Sequence, residues 1–190
     1  MKLNILPGSL ARRAAGKYIR KKSYAGSRNR KITNWAEVKS IAFLVDGHDP
    51  AALRMLLNQL HAYAQKGKKV HIFGYVKKLP PFEEDGIYWF TNKDLNWAGL
   101  PKPSVLKALN IQTYDLLINT AEIKVSTLHY LSALSHATLR IGPYAEEWAE
   151  CYDFMIIQDP GETVPELLKK AEYYLSTFNK QYAPVHGTTD

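Results

Sequence analysis

Residues 40–45, Ser-Ile-Ala-Phe-Leu-Val, decide the fold because they form a nearly continuous apolar run. Such a run is typical of a strand that is buried on both faces of a parallel sheet. A turn follows at residues 46–50, Asp-Gly-His-Asp-Pro, in which Asp49 can cap a helix that has Pro50 at its first position. The sequence therefore predicts a buried strand that leads through a short turn into a helix.

The same succession of strand and helix continues along the chain. Leucines at helical spacing over residues 51–65 predict the helix after the first strand, and Gly67 ends it. Further strands are predicted over 70–76, 87–90, 115–119, 138–142 and 153–158, and further helices over 104–109, 124–136 and 165–182. Alternation of this kind builds parallel strands joined by right-handed crossovers. We therefore predict an α/β fold, a three-layer domain with a mostly parallel, Rossmann-like sheet of about five to six strands.

Charge divides the chain into two parts. Residues 1–40 hold 11 Lys and Arg residues and one acidic residue, whereas residues 41–190 hold 14 Lys and Arg residues and 17 Asp and Glu residues. A helix from Leu10 to about Lys22, capped by Ser9, and an irregular linker over 24–34 carry most of the positive charge. We expect a basic N-terminal arm over 1–37, an α/β domain over 38–182 and a flexible tail over 183–190.

The arm predicts a polyanionic partner. Residues 9–31 contain nine cationic and no acidic side chains, with aromatic rings between them. Arginine-rich segments of this kind order on RNA, and their rings can stack on unpaired bases. The leading hypothesis is a non-enzymatic, nucleic-acid-associated protein whose partner is RNA or a ribonucleoprotein particle such as the ribosome. The predicted nucleic-acid-binding residues are Arg12, Arg13, Lys17, Tyr18, Arg20, Lys21, Lys22, Tyr24, Arg28, Arg30 and Lys31.

Other roles for the arm stay open at this stage. It could contact an acidic protein partner, as in an assembly factor, or the chain's own body, or it could be a solvated helix without a specific role. Binding to a membrane surface is disfavoured, because the apolar face of the predicted helix is chiefly alanine.

Ligands of open α/β sheets bind at the carboxyl ends of the strands, where the sequence places four polar candidates. Asp46 and His48 follow the first strand, and Asn119 and Glu122 follow the strand predicted over 115–119. All four also have local explanations, as turn or helix-capping residues. They carry the alternative hypothesis, a small-molecule-binding or degenerate glycosyltransferase-like domain. Trp97, in a loop rich in Gly and Pro, either anchors a partner or belongs to a lid on the edge of the sheet.

Motifs for catalysis and for metal binding are missing from the sequence. The six histidines show no zinc-protease spacing, although His129 and His136 lie seven residues apart on one predicted helix. Cys151 is the single cysteine, which excludes an internal disulfide and fits a reducing compartment. No stretch approaches the roughly 20 apolar residues of a membrane span. We expect a cytoplasmic protein without catalytic residues, metal or cofactor.

Three segments carry a resemblance to a known family: the basic leading helix, residues 93–99 (Lys-Asp-Leu-Asn-Trp-Ala-Gly), and a run from Tyr114-Asp-Leu-Leu-Ile-Asn119 to Arg140-Ile-Gly142. With these the chain resembles a family of small bacterial α/β proteins of unknown function. The last run is also similar to a strand–helix–strand piece in the amino-terminal half of heptosyltransferase-type glycosyltransferases. Those enzymes hold the nucleotide sugar with a second Rossmann-like domain, for which this chain is too short. The resemblance implies a fold and transfers no activity.

Overall fold

The fold is that of a computed structural model, which describes residues 8–25, 28–48, 50–78 and 86–178. Two predictions lie outside these ranges: the capping role of Asp49 and the tail at 183–190. The side chain of Tyr24 is also outside what is described. The helix predicted over 165–182 is wrong at its C-terminal end, because it ends at Thr177 and the backbone of Phe178 is already extended.

Six strands form one parallel sheet in the described part of the chain. They are β1 (Ser40–Asp46), β2 (Lys69–Tyr75), β3 (Ile87–Phe90), β4 (Leu116–Asn119), β5 (Leu139–Pro143) and β6 (Phe154–Ile156). Their order in the sheet is β3-β2-β1-β4-β5-β6. Strand β1 lies at the centre, and five consecutive residues of it are buried, as its apolar run predicts. The α/β, Rossmann-like fold is thus confirmed.

Helices cover both faces of this sheet. They are α1 (Gly8–Ala25), α2 (Pro50–Gln65), α3 (Pro103–Leu109), α4 (Ser126–Ala133) and α5 (Val164–Thr177), with short 3₁₀ helices at Trp35–Glu37, Asn92–Asp94 and Glu146–Cys151. Helices α2 and α5 pack on the face of β1 that carries Phe43. Helices α3 and α4 pack on the opposite face, which carries Leu44. Neighbouring residues of β1 therefore belong to two separate cores, which explains why the strand is apolar throughout.

The basic helix α1 packs against the body of the protein. Its Ala15 and Ile19 are buried one turn apart, in a third core with Tyr130 of α4 and with Trp148 and Tyr152. The thin apolar face that the sequence shows is therefore wide enough to fix the helix on the outside of α4. No helix of the described ranges has the length and apolar character needed to cross a membrane.

Helix α4 is shorter than the sequence suggests. The prediction over 124–136 is wrong at both ends, because α4 begins at Ser126 and ends at Ala133. At its C-terminal end the buried guanidinium of Arg140 donates hydrogen bonds to the carbonyls of Ser132 and Ala133. His136 consequently lies in an exposed loop and shares no helix face with His129.

Candidate ligand-binding cleft

The order of the strands creates a crevice at the carboxyl end of the sheet. Strands β1 and β4 are neighbours, but the chain continues from β1 to β2 on one side and from β4 to β5 on the other. The loops after β1 and β4 therefore separate, and ligands of open α/β sheets bind at this point. A cleft of about 840 Å³ lies here, within the range of roughly 300–1,000 Å³ that is usual for small-molecule sites.

The cleft brings together residues that the sequence proposed for different roles. Asp46, His48 and Glu122, three of the four predicted ligand residues, line it together with Trp97. Arg12 of α1, predicted to bind nucleic acid, also lines it. The basic helix thus contributes part of the wall of the cleft, which charge counting along the sequence could not show.

Asn119 is the predicted ligand residue that does not line the cleft. It is fully buried, its Nδ2 donates to the hydroxyl of Tyr152 at 2.6 Å, and its Oδ1 accepts from the amide of Ala121. Tyr152 in turn lies 2.5 Å from Nδ1 of His129. Nε2 of His129 donates to the carbonyl of Ile123, so Nδ1 is the acceptor for the tyrosine hydroxyl. Asn119 therefore belongs to a satisfied network beneath the cleft.

Burial of this network suppresses the charged states of its members. Burial lowers the pKa of His129 to about 4 and raises the pKa of Tyr152 far above its ordinary value. The ring of His129 stacks on Trp148 with centroids 4.5 Å apart. Burial also raises the pKa of the nearby Cys151 thiol to about 12, so the single cysteine is not a nucleophile at neutral pH.

Asp46 and His48 form a fixed pair at the end of β1. Nδ1 of His48 is hydrogen-bonded to the Asp46 carboxylate, and Nε2 lies 3.1 Å from the backbone N–H of Lys77. An N–H group can only donate, so Nε2 is the acceptor and the proton of the neutral ring sits on Nδ1. Both nitrogens are engaged, and the histidine connects the loop after β1 to the loop after β2. As a general base it would first have to give up the Lys77 hydrogen bond.

Trp97 stands on a loop that is braced by its own hydrogen bonds. Oδ1 of Asn96 accepts from the amides of Ala98 and Leu100, and Leu95 pairs with Pro101 in an antiparallel bridge. Gly99 supplies the positive φ of 77° at the bend. Ala98 and Leu100 are buried in the core under α1, while Trp97 remains 60% exposed. The loop therefore anchors itself under α1 through Ala98 and Leu100 and holds the indole at the rim of the cleft.

Thr127, in the first turn of α4, is a residue of the cleft that the sequence analysis missed. It lines the cleft and is only 6% exposed, yet its hydroxyl has no hydrogen-bond partner among the described residues. Lys77 and Lys124 also line the cleft and were missed. Their position after β2 and β4 was the available signal, but lysines after strands are too common to single out.

The cations of the predicted arm fall into two groups. Five of the nine pair with carboxylates of the chain: Arg12 with Glu147, Arg20 with Glu150, Arg28 and Arg30 with Asp153, and Lys31 with Glu37. The other four are exposed and contact no carboxylate of the described residues; they are Arg13, Lys17, Lys21 and Lys22. Tyr18 is 40% exposed.

Arg28 differs from the other arm cations because its side chain is only 12% exposed. It pairs with Asp153 and donates to the carbonyls of Ala137 and Thr138. These contacts fasten the segment after α1 to the start of β5. The guanidinium of Arg28 is therefore committed within the chain, and a nucleic acid could reach it only by displacing these partners.

The described residues contain no group of three or more His, Cys, Asp or Glu side chains arranged to hold a metal ion. A sequence model described as "Family of unknown function (DUF6913)" matches residues 12–178. The chain belongs to the DUF6913 family. In comparisons with curated proteins and with solved structures, nothing matches this DUF6913 chain.

The DUF6913 match begins inside α1 and ends after α5, so it includes both the basic helix and the α/β body. The expectation of a family of unknown function is confirmed. The comparisons give no support to the likeness to heptosyltransferase-type glycosyltransferases or to the expected bacterial origin.

Proposed function

We propose that this DUF6913 chain binds an anionic small molecule with a planar ring in the cleft at the carboxyl ends of β1 and β4. The observation that carries the proposal is the exposed indole of Trp97, fixed at the rim of a preformed cleft by a braced loop. A fixed aromatic ring can stack on a planar group at little cost in conformational entropy, and such stacking contributes about 1–3 kcal/mol.

The charges around the cleft favour an anionic ligand. Glu122 is already paired with Lys124 at 2.7 Å, and Asp46 with His48. Arg12 has only a long, exposed contact of 3.4 Å with Glu147, which is worth little. Ser126 and Thr127 of the first turn of α4 line the cleft, so the positive end of the helix dipole lies beside it.

The cleft binds its ligand in this proposal without catalysing a reaction. Nε2 of His48 accepts a backbone hydrogen bond, and Asp46 holds the opposite nitrogen. The pair therefore supports the shape of the cleft, connecting the ends of β1 and β2.

The test uses adenosine monophosphate as a probe, because it combines a planar ring with an anion. We expect isothermal titration calorimetry to detect binding, and Trp97→Ala to weaken it by about 5- to 150-fold. Tyr173→Ala is the matched control, since Tyr173 is an equally exposed aromatic residue on α5, outside the cleft. Equal effects of the two substitutions, or no binding of this or other ring-bearing phosphates, would refute the proposal.

A second candidate function is polyanion binding by α1, with RNA as the polyanion. It is supported by Arg13, Lys17 and Lys21, which recur every four residues and therefore form one stripe on the helix. This stripe lies opposite the buried Ala15 and Ile19, and its cations contact no carboxylate of the described residues. Five other arm cations form ion pairs with carboxylates of the chain, whereas the three cations of this stripe have none among the described residues and are therefore available to phosphates.

Fluorescence anisotropy with a single-stranded RNA tests the second candidate. If the stripe neutralises about three phosphates, a plot of the logarithm of the affinity against the logarithm of the salt concentration should have a slope of roughly −2. Arg13→Gln/Lys17→Gln/Lys21→Gln should abolish most of the binding. The control replaces three exposed lysines of the body, Lys66, Lys69 and Lys107. RNA binding that both triple variants reduce equally would reject the stripe as the site.

A further inference from the structure

A second, smaller pocket lies near the opposite end of the sheet, where β5 begins. It has a volume of about 230 Å³ and lies between the C-terminal part of α1, the segment after it, helix α3 and the loop after α4. Four cationic side chains line this pocket, and none of the other described residues that line it is acidic; the four are Lys22, Arg28, Arg30 and Arg140.

Positive charge around this pocket is incompletely neutralised. The carboxylate of Asp153 is the shared partner of three guanidinium groups, with Arg30 and Arg140 each 3.7 Å away and Arg28 in direct contact. Carbonyls at the end of α4 accept from Arg140 and offset part of the excess. One carboxylate nevertheless serves three guanidiniums, with Lys22 beside them.

The excess of positive charge destabilises the folded protein, and the effect is visible at Arg140. Its side chain is 3% exposed, and its Nε has no hydrogen-bond partner among the described residues. Burial, followed by the nearby charge of Arg28, lowers the pKa of Arg140 to about 10. A buried guanidinium with a vacant donor is stabilised when an anion approaches it.

The pocket is also rigid before any ligand arrives. Asn110 accepts from the backbone amide of His136 at 2.8 Å and donates to the carbonyl of Leu134 at 3.1 Å, which fixes the loop after α4. Arg28 holds the opposite wall against the carbonyls of Ala137 and Thr138. Little ordering is therefore needed when a small anion binds.

We propose that this pocket is a phosphate-group site, in which the exposed Lys22 and Arg30 bind the phosphate and the positive charge of the buried Arg28 and Arg140 stabilises it. Arginine forks match the oxygens of a phosphate, and lysine adds a flexible point charge. The phosphate is either free or part of a polynucleotide, whose strand could continue along the exposed stripe of α1. The site is separate from the cleft that contains Trp97, so the proposal does not depend on the function proposed above.

The first experiment titrates inorganic phosphate into the full chain labelled with ¹⁵N, with sodium chloride at matched ionic strength as the control. We expect saturable shifts of backbone amides in residues 28–30 and 134–136, which chloride does not reproduce. Lys22→Gln/Arg30→Gln should raise the dissociation constant about tenfold. Both side chains are exposed, so the fold should persist, and the dispersion of the spectrum verifies this. Lys66→Gln/Lys69→Gln is the matched control.

Three outcomes overturn the proposal: the absence of saturable shifts, shifts confined to residues around the cleft, or equal weakening in both double variants. Trp97→Ala should leave phosphate binding at this pocket unchanged. The result for the pocket is therefore independent of whether the cleft binds a ligand.

The source of the phosphate is distinguished with a short oligoribonucleotide that carries either a 5′-phosphate or a 5′-hydroxyl. Tighter binding of the phosphorylated strand, lost in Lys22→Gln/Arg30→Gln, supports the site and assigns it to a terminal phosphate. Equal binding of the two strands, lost in the same variant, supports the site with internal phosphates as ligands. If either strand still binds Lys22→Gln/Arg30→Gln, the pocket does not bind polynucleotides, and free phosphate remains as its ligand.

Discussion

At the scale of one residue, the buried hydroxyl of Thr127 is expected to affect the stability of the protein and ligand binding in the cleft in opposite directions. A hydroxyl that is buried without a partner costs free energy, and valine replaces it with a methyl group of similar volume. We expect Thr127→Val to raise the free energy of unfolding by about 1 kcal/mol while it weakens ligand binding in the cleft. Urea denaturation measures the first effect and calorimetry the second.

Thr120→Val is the matched control for this substitution. Thr120 is also buried, but its hydroxyl donates to the carbonyl of Leu44 at 3.1 Å. Its replacement should lower the free energy of unfolding by about 1 kcal/mol, because a satisfied hydrogen bond is lost. If Thr127→Val destabilises the protein as much as Thr120→Val does, the hydroxyl of Thr127 has a partner in the folded protein.

His129 makes the stability of the protein dependent on pH. Its pKa is about 4 when folded and about 6.5 when unfolded, so the unfolded chain binds more protons between these values. The contribution of this histidine is complete above pH 6.5 and is lost as the pH falls toward 4, with a slope of up to about 1.4 kcal/mol per pH unit. His129→Gln should flatten the dependence in this window, measured by urea denaturation at several pH values.

At the scale of elements, the segment that joins α1 to the body depends on one buried ion pair. Arg28→Gln should lower the free energy of unfolding by about 3 kcal/mol, because it leaves the Asp153 carboxylate without its closest partner. Arg30 contacts the same carboxylate at 3.7 Å but is 64% exposed, so Arg30→Gln should cost less than about 1 kcal/mol. Urea denaturation of the two variants compares them directly. Similar losses in both would mean that the contact of Arg28 is not the one that holds the segment.

The strands were easier to predict from the sequence than the ends of the helices. The apolar run of β1 identifies a doubly buried strand, since few other structures tolerate five such residues together. The end of α4 could not be predicted in the same way, because it depends on Arg140, a residue of the next strand. The 3₁₀ helix at Glu146–Cys151 was also missed: its buried Trp148 packs on His129, a contact that no local pattern encodes.

For the whole molecule, the position of the charges could be predicted but their partners could not. Counting charged residues along the chain separates a basic N-terminal segment from a slightly acidic body, and this separation predicts that the basic segment binds a separate, anionic partner. The acidic residues that pair with Arg12, Arg20 and Arg28 lie more than 100 residues later, and only the fold brings them to α1. The cleft is likewise assembled from α1 and from the loops after four strands, so local motifs reveal its parts and not its shape.

Apolar contacts outweigh ion pairs in the docking of α1. Exposed pairs such as Arg12–Glu147 contribute about 0–1 kcal/mol each, whereas a fully buried isoleucine contributes about 1.5–3 kcal/mol. Hydrogen exchange of the α1 amides in 1 M sodium chloride should therefore stay as slow as at low salt. Ile19→Asp should release the helix, accelerate this exchange and weaken adenosine monophosphate binding, because Arg12 leaves the wall of the cleft. Lys17→Asp places the same side chain on the exposed face and should leave the helix docked; release of α1 by salt alone would show that charge pairing holds it.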